Sequence, residues 1–346
     1  MSSNGTLLEV QDLSVNFKVG QGWLNRGQTV HAVSRVSLNV APGETFGLVG
    51  ESGSGKSTTV RAVLQLVRPS SGSVKFEGEE LTSASKEVMR SLRRKAQMVF
   101  QDPYSCLNQR LKVGAIIKEP LDIHEVGSQQ SRRQRVLELL DRVGLPAAAA
   151  DRYPHQFSGG QRQRIGIARA LATEPSLVIC DEPVAALDVS IQAQVLQLLA
   201  DLQAERGMAY LFIAHDLNVV RHVSRRAAVM YLGRIVEQGP SSSLFAAPKH
   251  PYTQALLSAV RLADPQRERA RKRIVLTGEI PSPTQPPSGC TFRTRCRHAQ
   301  PVCAEAEPAL EDAGDGTLVA CHFWRILPAP AGPADPDDLK SSARSA

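Results

Sequence analysis

The sequence predicts an α/β fold: a phosphate-loop core with an antiparallel β subdomain and a helical subdomain, followed by a small cysteine-rich C-terminal extension. Three observations carry this. The apolar run Thr45 to Val49 leads into Gly50-Glu-Ser-Gly-Ser-Gly-Lys-Ser-Thr58, which fits G-x-x-x-x-G-K-[ST], and then into a helical segment from Thr59 to Val67. Upstream, Leu8, Val10, Leu13, Val15 and Phe17 alternate with polar residues, and Val36, Leu38 and Val40 repeat the pattern, as two antiparallel strands would. Four of the six cysteines fall late in the chain, beyond a proline-rich stretch.

At 346 residues the chain is longer than most single domains, so one large domain with an extension is expected. A hydrophobic content of 42% with 22% charged residues is ordinary for a globular protein with a sizeable core. No run is long and apolar enough to span a bilayer, and the start of the chain does not resemble a secretory leader, so a cytoplasmic protein is expected. The net charge of +7 fits a nucleic-acid binder and a nucleotide-binding protein docked on a membrane complex equally. Six cysteines in an intracellular chain point to metal or plain packing rather than disulfides.

In the loop, Gly50, Gly53 and Gly55 permit backbone angles that turn successive N–H groups toward phosphate oxygens, and the helix N-terminus adds partial positive charge. Lys56 reaches the β- and γ-phosphates, and the Ser57 hydroxyl suits Mg²⁺. Phe17, ending a strand upstream, is either an adenine-stacking ring or a core residue. Residues 18 to 29 read as a polar loop, and Val74 to Phe76 as a strand. The basic segment Arg90 to Lys95 precedes an apolar strand running into Val99-Phe-Gln-Asp-Pro103. Residues 104 to 170 read mainly as helix, with Ser131 as an N-cap and Gly144 closing the segment Arg132 to Val143.

Ser158 caps a further helix, and Gly159 and Gly160 offer a second anion site. Leu177-Val-Ile-Cys-Asp-Glu-Pro183 is a buried strand that presents Asp181 toward Mg²⁺ and Glu182 toward a γ-phosphate. Ile191 to Arg206 is an amphipathic helix closed by Gly207, and the strand Tyr210 to Ala214 delivers His215.

The phosphate loop, Gln101, Ser158-Gly-Gly-Gln161, Asp181-Glu182, Ala185-Ala-Leu-Asp188 and His215 occur in the order and spacing of an ABC-type ATPase, which the chain resembles from about residue 7 to 255. Gly50-Glu-Ser-Gly, Val99-Phe-Gln-Asp-Pro-Tyr, Arg152-Tyr-Pro-His-Gln-Phe-Ser and His250-Pro-Tyr-Thr-Gln-Ala-Leu-Leu look like the ATP-binding subunits of dipeptide and oligopeptide importers, closest to the second of their two paired ATPases.

The resemblance implies that Phe17 stacks on adenine and that Gly50, Ser52, Gly53, Ser54, Gly55, Lys56, Ser57 and Thr58 hold ATP. Ser57, Gln101 and Asp181 would hold Mg²⁺, Glu182 would be the catalytic base, and His215 and Gln101 would support it. Ser158, Gly159, Gly160 and Gln161 match the signature that closes on ATP of the opposite subunit, and Asp188 the dimer loop. The family's usual serine at the start of that loop is Ala185 here. The implied function is ATP-hydrolysing energy coupling in a peptide importer. The implied setting is the cytoplasmic face of the membrane, with a second related ATPase, two membrane-spanning permease subunits and an external binding protein. The same subunit type serves importers of nickel, glutathione and oligosaccharides. The other class considered is a soluble ABC ATPase with a metal cluster acting on ribosomes or nucleic acid.

The expected organisation is an ATPase domain over 1–258, with a helical subdomain at about 104–170, a linker over 259–287, a cysteine-rich region over 288–325 and a disordered tail over 326–346. Arg261 to Arg273 reads as a solvated helix or linker, and Pro281 to Pro287 as a clean end to the ATPase. Cys290, Cys296, Cys303 and Cys321 are separated by five, six and seventeen residues in a segment poor in core residues, so a metal staple is expected. In some peptide-importer ATPases the corresponding cysteines hold an iron–sulfur cluster, and four thiolates suit [4Fe–4S], with zinc as the alternative. Cys106 and Cys180 read as structural.

Overall fold

The computed structural model describes residues 5–20, 27–102, 104–185, 187–260 and 273–327. In chain order its strands are β1 (Leu8–Val19), β2 (Gln28–Val40), β3 (Thr45–Val49), β4 (Ser71–Phe76), β5 (Glu79–Glu80), β6 (Ala96–Val99), β7 (Leu177–Asp181), β8 (Ala209–Ala214), β9 (Arg226–Tyr231), β10 (Arg234–Pro240), β11 (Glu311–Asp312) and β12 (Leu318–Val319).

They form two sheets. The alternating pattern near the start pairs as its apolar residues require: Leu8 lies opposite Val40, Val10 opposite Leu38 and Leu13 opposite Val36, so one face of the β1–β2 pair is wholly apolar. With β4 and β5 they make an antiparallel sheet in the order β2-β1-β4-β5. The larger sheet runs β11-β12-β10-β9-β3-β8-β7-β6, and its strands β6, β7, β8, β3 and β9 are parallel. Every residue of β3, β7 and β8 is buried, which is why these segments are continuous apolar runs. Alternate residues feed opposite cores. On β8, Tyr210, Phe212 and Ala214 join the core beneath the helical region, while Ala209, Leu211 and Ile213 join the one shared with the antiparallel sheet.

The helical region comprises helices Val113–Ile123, Gln129–Arg142 and Gly159–Ala170, with two short 3₁₀ turns between the last two. Among the described residues no helix is long and apolar enough to cross a membrane. Gly207, at φ 66°, closes the long helix Val189–Arg206 in the left-handed conformation that glycine adopts without steric cost.

Four local expectations are corrected. The helix after the phosphate loop spans Lys56–Val63 rather than Thr59 to Val67, because it starts inside the motif and Gln65 turns left-handed at φ 54°. The cap of Gln129–Arg142 is Ser128, whose Oγ accepts the Ser131 N–H at 3.2 Å; Ser131 is therefore inside the helix. Cys106 sits in a turn rather than a helix. The proline-rich stretch does not end the ATPase cleanly: the Pro283 carbonyl accepts the His31 N–H of β2 at 2.9 Å. The segment beyond it adds β12 to the edge of β10, with Glu237 opposite Val319. Residues 261–272, expected as a solvated linker, and 328–346, expected as a disordered tail, lie outside the described residues.

Candidate active site

The loop from Gly50 to Thr58 joins the C-terminal end of β3 to the helix Lys56–Val63. The first turn of any helix leaves its amides without intrahelical acceptors, so the N–H groups of Lys56, Ser57 and Thr58 form the start of an anion cradle. Gly55 must be glycine. It has φ 103°, and a Cβ there would stand 2.4 Å from the Ala32 carbonyl oxygen of β2. The Lys56 side chain is buried, and its Nζ donates to the carbonyls of Gly50 at 2.8 Å and Glu51 at 2.9 Å, with Ser54 Oγ at 3.4 Å. Burial pushes the Lys56 ammonium below its ordinary pKa, against the opposing pull of Glu182, Asp181 and Glu51.

Successive parallel strands deliver the acids to this loop from their C-terminal ends, where α/β sheets bind ligands. Asp181 ends β7, and its Oδ1 accepts the Ser57 hydroxyl at 3.0 Å. Burial raises its pKa, the Ser57 hydrogen bond opposes this, and neighbouring Glu182 raises it further. Hydroxyl and carboxylate oxygens, with the Gln101 amide oxygen nearby in sequence order after β6, are the hard donors that Mg²⁺ takes. Glu182 sits at φ 48°, an unusual conformation for a non-glycine residue, and its N–H is tied to the Ile213 carbonyl of β8 at 3.0 Å. Its Oε2 accepts Gln101 Nε2 at 2.9 Å and faces His215 Nδ1 at 3.2 Å. Gln101 follows β6, Glu182 follows β7 and His215 follows β8, so two neighbouring strand ends bring two side chains onto one oxygen of Glu182.

Phe17 is 37% exposed on β1, opposite Val30 of β2, two residues along from the Ala32 carbonyl that closes on Gly55. That register places its strand end beside the loop. Ser158 and Gln161 form a reciprocal capping box at the start of Gly159–Ala170: Ser158 N–H donates to Gln161 Oε1 at 3.0 Å and Gln161 N–H to Ser158 Oγ at 3.3 Å. Gly160 packs so closely that a Cβ would lie 2.5 Å from Ile191 Cγ2, and Gly159 faces Leu187. The signature therefore rests on the segment that carries Asp188, the residue preceding Val189–Arg206. The Ala185 N–H donates to the Glu182 carbonyl at 3.2 Å, and Gln192 Nε2 braces Val184 and Leu187 carbonyls at 3.0 and 3.1 Å, so this loop is held without a serine hydroxyl. Ala186 lies outside the described residues. Cys180 is fully buried in β7 and burial raises its thiol pKa, consistent with a packing role.

Sequence reasoning missed one group of residues. Glu51, inside the phosphate loop, donates its N–H to Tyr252 Oη at 3.0 Å, and its carboxylate takes two hydrogen bonds from Arg295, at 2.7 and 3.1 Å. Phe292, three residues earlier, fills an aromatic cluster with Tyr231, Tyr252 and His250 at ring separations of 5.2, 5.3 and 5.7 Å. The sequence signal was present as an arginine and a phenylalanine beside Cys296 and Cys290, but nothing local ties them to a loop so distant in the chain.

The expected metal centre is supported only in part. Cys290, Cys296, Cys303 and Cys321 do line one small cavity, but among the described residues no group of three or more His, Cys, Asp or Glu side chains is arranged to hold a metal ion. Burial pushes the thiols of Cys290, Cys296 and Cys321 upward, the last to about 11, and neighbouring thiols add to the shift. Phe292 and Phe323 line the same cavity. The donor chemistry suits a four-thiolate centre; the spacing seen here does not. The extension is held instead by the sheet pairing at β12, by the aromatic cluster and by Glu307, which pairs with Arg35 and Arg234.

Comparison with known proteins matches residues 33–185 to a family model described as ABC transporter, and residues 236–303 to one described as oligopeptide/dipeptide transporter, C-terminal region. The chain is 51% identical over 320 residues to the putative oligopeptide transport ATP-binding protein YkfD of Bacillus subtilis, covering 92% of this chain and 96% of that one. It is 52% identical over 309 residues to the oligopeptide transport ATP-binding protein OppF of Salmonella typhimurium, covering 88% and 92%. Among solved structures it is similar to a dimeric post-hydrolysis state of the ATP-binding cassette MJ0796 bound to ADP and Pi, with a TM-score of 0.61, 31% identity, and coverage of 68% and 98%.

Proposed function

Since the chain belongs to the ABC transporter ATP-binding family, whose members hydrolyse ATP to drive transport, we propose that it is the energy-coupling ATPase of a dipeptide or oligopeptide importer. The observation that carries this is the joint occurrence of the cassette and the peptide-transporter C-terminal region in one chain similar to OppF along most of its length.

In this reading the loop amides and Lys56 hold the phosphates, and Ser57, Asp181 and Gln101 hold Mg²⁺. When bound, the ion neutralises charge on the β- and γ-phosphates. Phe17 stacks on adenine. Glu182 orients a water and takes its proton as the water oxygen bonds to the γ-phosphorus. The bond from that phosphorus to the bridging oxygen breaks, leaving ADP and inorganic phosphate. Gln101 and His215, both on Glu182 Oε2, fix that carboxylate in position. Positioning and preformed charge supply most of the rate. Ser158 to Gln161 and Asp188 complete the site of a partner subunit.

The finer readings follow from the family. The partner is a second, related ATPase forming a heterodimer, mounted on two membrane-spanning permeases at the cytoplasmic face and served by an external binding protein. Residues 1–258 are the ATPase domain, 259–287 the linker and 288–325 a cysteine-rich region. For the four thiols we keep a metal centre, [4Fe–4S] or zinc, as a proposal supported by their convergence on one cavity. Iron and zinc analysis of anaerobically purified protein decides it, and absence of both metals removes it.

Purification of the tagged chain from membranes in mild detergent tests the main reading. Two multi-span proteins and a second ATPase are expected by mass spectrometry. Ribosomal proteins or nucleic acid, with no membrane protein, would overturn it.

A further inference from the structure

We propose that Arg295, in the C-terminal extension, is a positioning residue for the nucleotide: it neutralises and anchors Glu51, and so sets the phosphate loop for ATP. This rests on the ATPase reading above. Glu51 is held on three sides. Its carboxylate is clasped by the Arg295 guanidinium through two hydrogen bonds, its N–H donates to Tyr252 Oη, and its carbonyl accepts Lys56 Nζ at 2.9 Å. A two-point arginine–carboxylate contact fixes direction as well as distance, which a lysine ammonium does not. Arg295 is buried, so the pair is little screened by solvent.

The charge balance gives the contact its consequence. Glu51 is an acid inside a loop that must receive a polyanion, and beside Lys56, whose ammonium has three oxygen neighbours in that loop. With Arg295 in place the carboxylate is neutralised and turned away from the Lys56 end of the residue. Without it, an unpaired carboxylate sits next to the phosphate site, repels ATP and competes for Lys56. The Arg295 position is itself set by the extension. Phe292 anchors one side in the Tyr231–Tyr252 cluster, and Cys296, the next residue, lines the four-thiol cavity. The extension is thus part of the nucleotide site, through a residue that touches no substrate.

The test is titration of the full-length purified chain with a fluorescent ATP analogue and Mg²⁺, together with steady-state ATPase kinetics of the assembled complex. Binding and ATP turnover by the unaltered protein test the ATPase reading independently of what the variants do. Arg295→Gln is expected to weaken nucleotide binding and raise KM for ATP roughly tenfold, with kcat little changed. Arg295→Lys is expected to fall between. Combining Arg295→Gln with Glu51→Gln is expected to recover most of the affinity, since the uncompensated carboxylate is gone. Unchanged affinity in Arg295→Gln overturns the proposal. So does a loss that the double variant fails to recover, which would mark Arg295 as merely holding the fold.

Discussion

His215 Nδ1 stands 3.2 Å from Glu182 Oε2, and Glu182 is itself held in a left-handed backbone conformation by its N–H bond to Ile213. The pair couples the ends of two adjacent strands, so the carboxylate is aimed before ATP arrives. Glu182→Gln keeps the size and backbone and removes the proposed base. It is expected to lower kcat by about 10²–10⁴-fold while ATP binding is retained. His215→Ala, which only frees the carboxylate, should cost less. Single-turnover hydrolysis alongside equilibrium binding measures both, and full activity in Glu182→Gln would remove the residue from the reaction.

Ser57 and Asp181 are in direct hydrogen-bonded contact, so in the proposed mechanism they act on Mg²⁺ as one unit rather than two. Asp181→Asn is expected to raise the Mg²⁺ concentration for half-maximal ATPase activity by about 10–100-fold. A magnesium titration at saturating ATP checks it. An unchanged midpoint would place the ion elsewhere.

Phe292 is almost wholly buried among Tyr231, Tyr252 and His250, although it belongs to the extension. Phe292→Ala is expected to destabilise the whole cassette by about 3–5 kcal/mol, as for other buried aromatic truncations. Ending the chain before residue 288 should do more, since it also strips β12 from β10 and leaves an open sheet edge prone to aggregation. Thermal unfolding and light scattering read both. A truncated chain that melts like the full one would mean the extension is independent.

Glu237, fully buried on β10, accepts N–H groups from Lys249 and His250 at 2.8 and 3.0 Å, and burial pushes its carboxyl up to about 7. Burial pushes neighbouring His250 down to about 3. Glu237 alone adds stability that is full below its ordinary pKa of 4.5 and is lost as pH rises through about 7. His250 alone adds stability that is full above its ordinary 6.5 and is lost as pH falls toward 3. Between about pH 4.5 and 6.5 the two slopes oppose each other. Glu237→Gln removes one of them, so its urea midpoint should fall more steeply than that of the unaltered chain as pH drops through this window. Parallel pH profiles would show that the pair does not titrate as described.

The parallel sheet and the placing of Asp181 and Glu182 at a strand end were legible because their signals are local. Leu177 to Asp181 had to be buried on both faces, and its terminal acids had to emerge at a strand end. Ser158 was readable as a cap because its partner Gln161 is three residues away. Ser131 was misplaced because Ser128, three residues earlier, offers the same hydroxyl, and only backbone geometry separates them. The fate of the extension was not legible. Its anchors Phe292, Arg295 and Glu307 pair with Tyr231, Glu51 and Arg234, and no periodicity links such residues. Poverty in core residues pointed to a metal staple, and local sequence gave no sign that the segment also borrows the core of the cassette.

The clasp between Glu51 and Arg295 spans 244 positions of chain. During synthesis the phosphate loop therefore emerges well before its arginine. A chain released before residue 295 would carry the phosphate loop, Asp181, Glu182 and His215 yet lack this clasp.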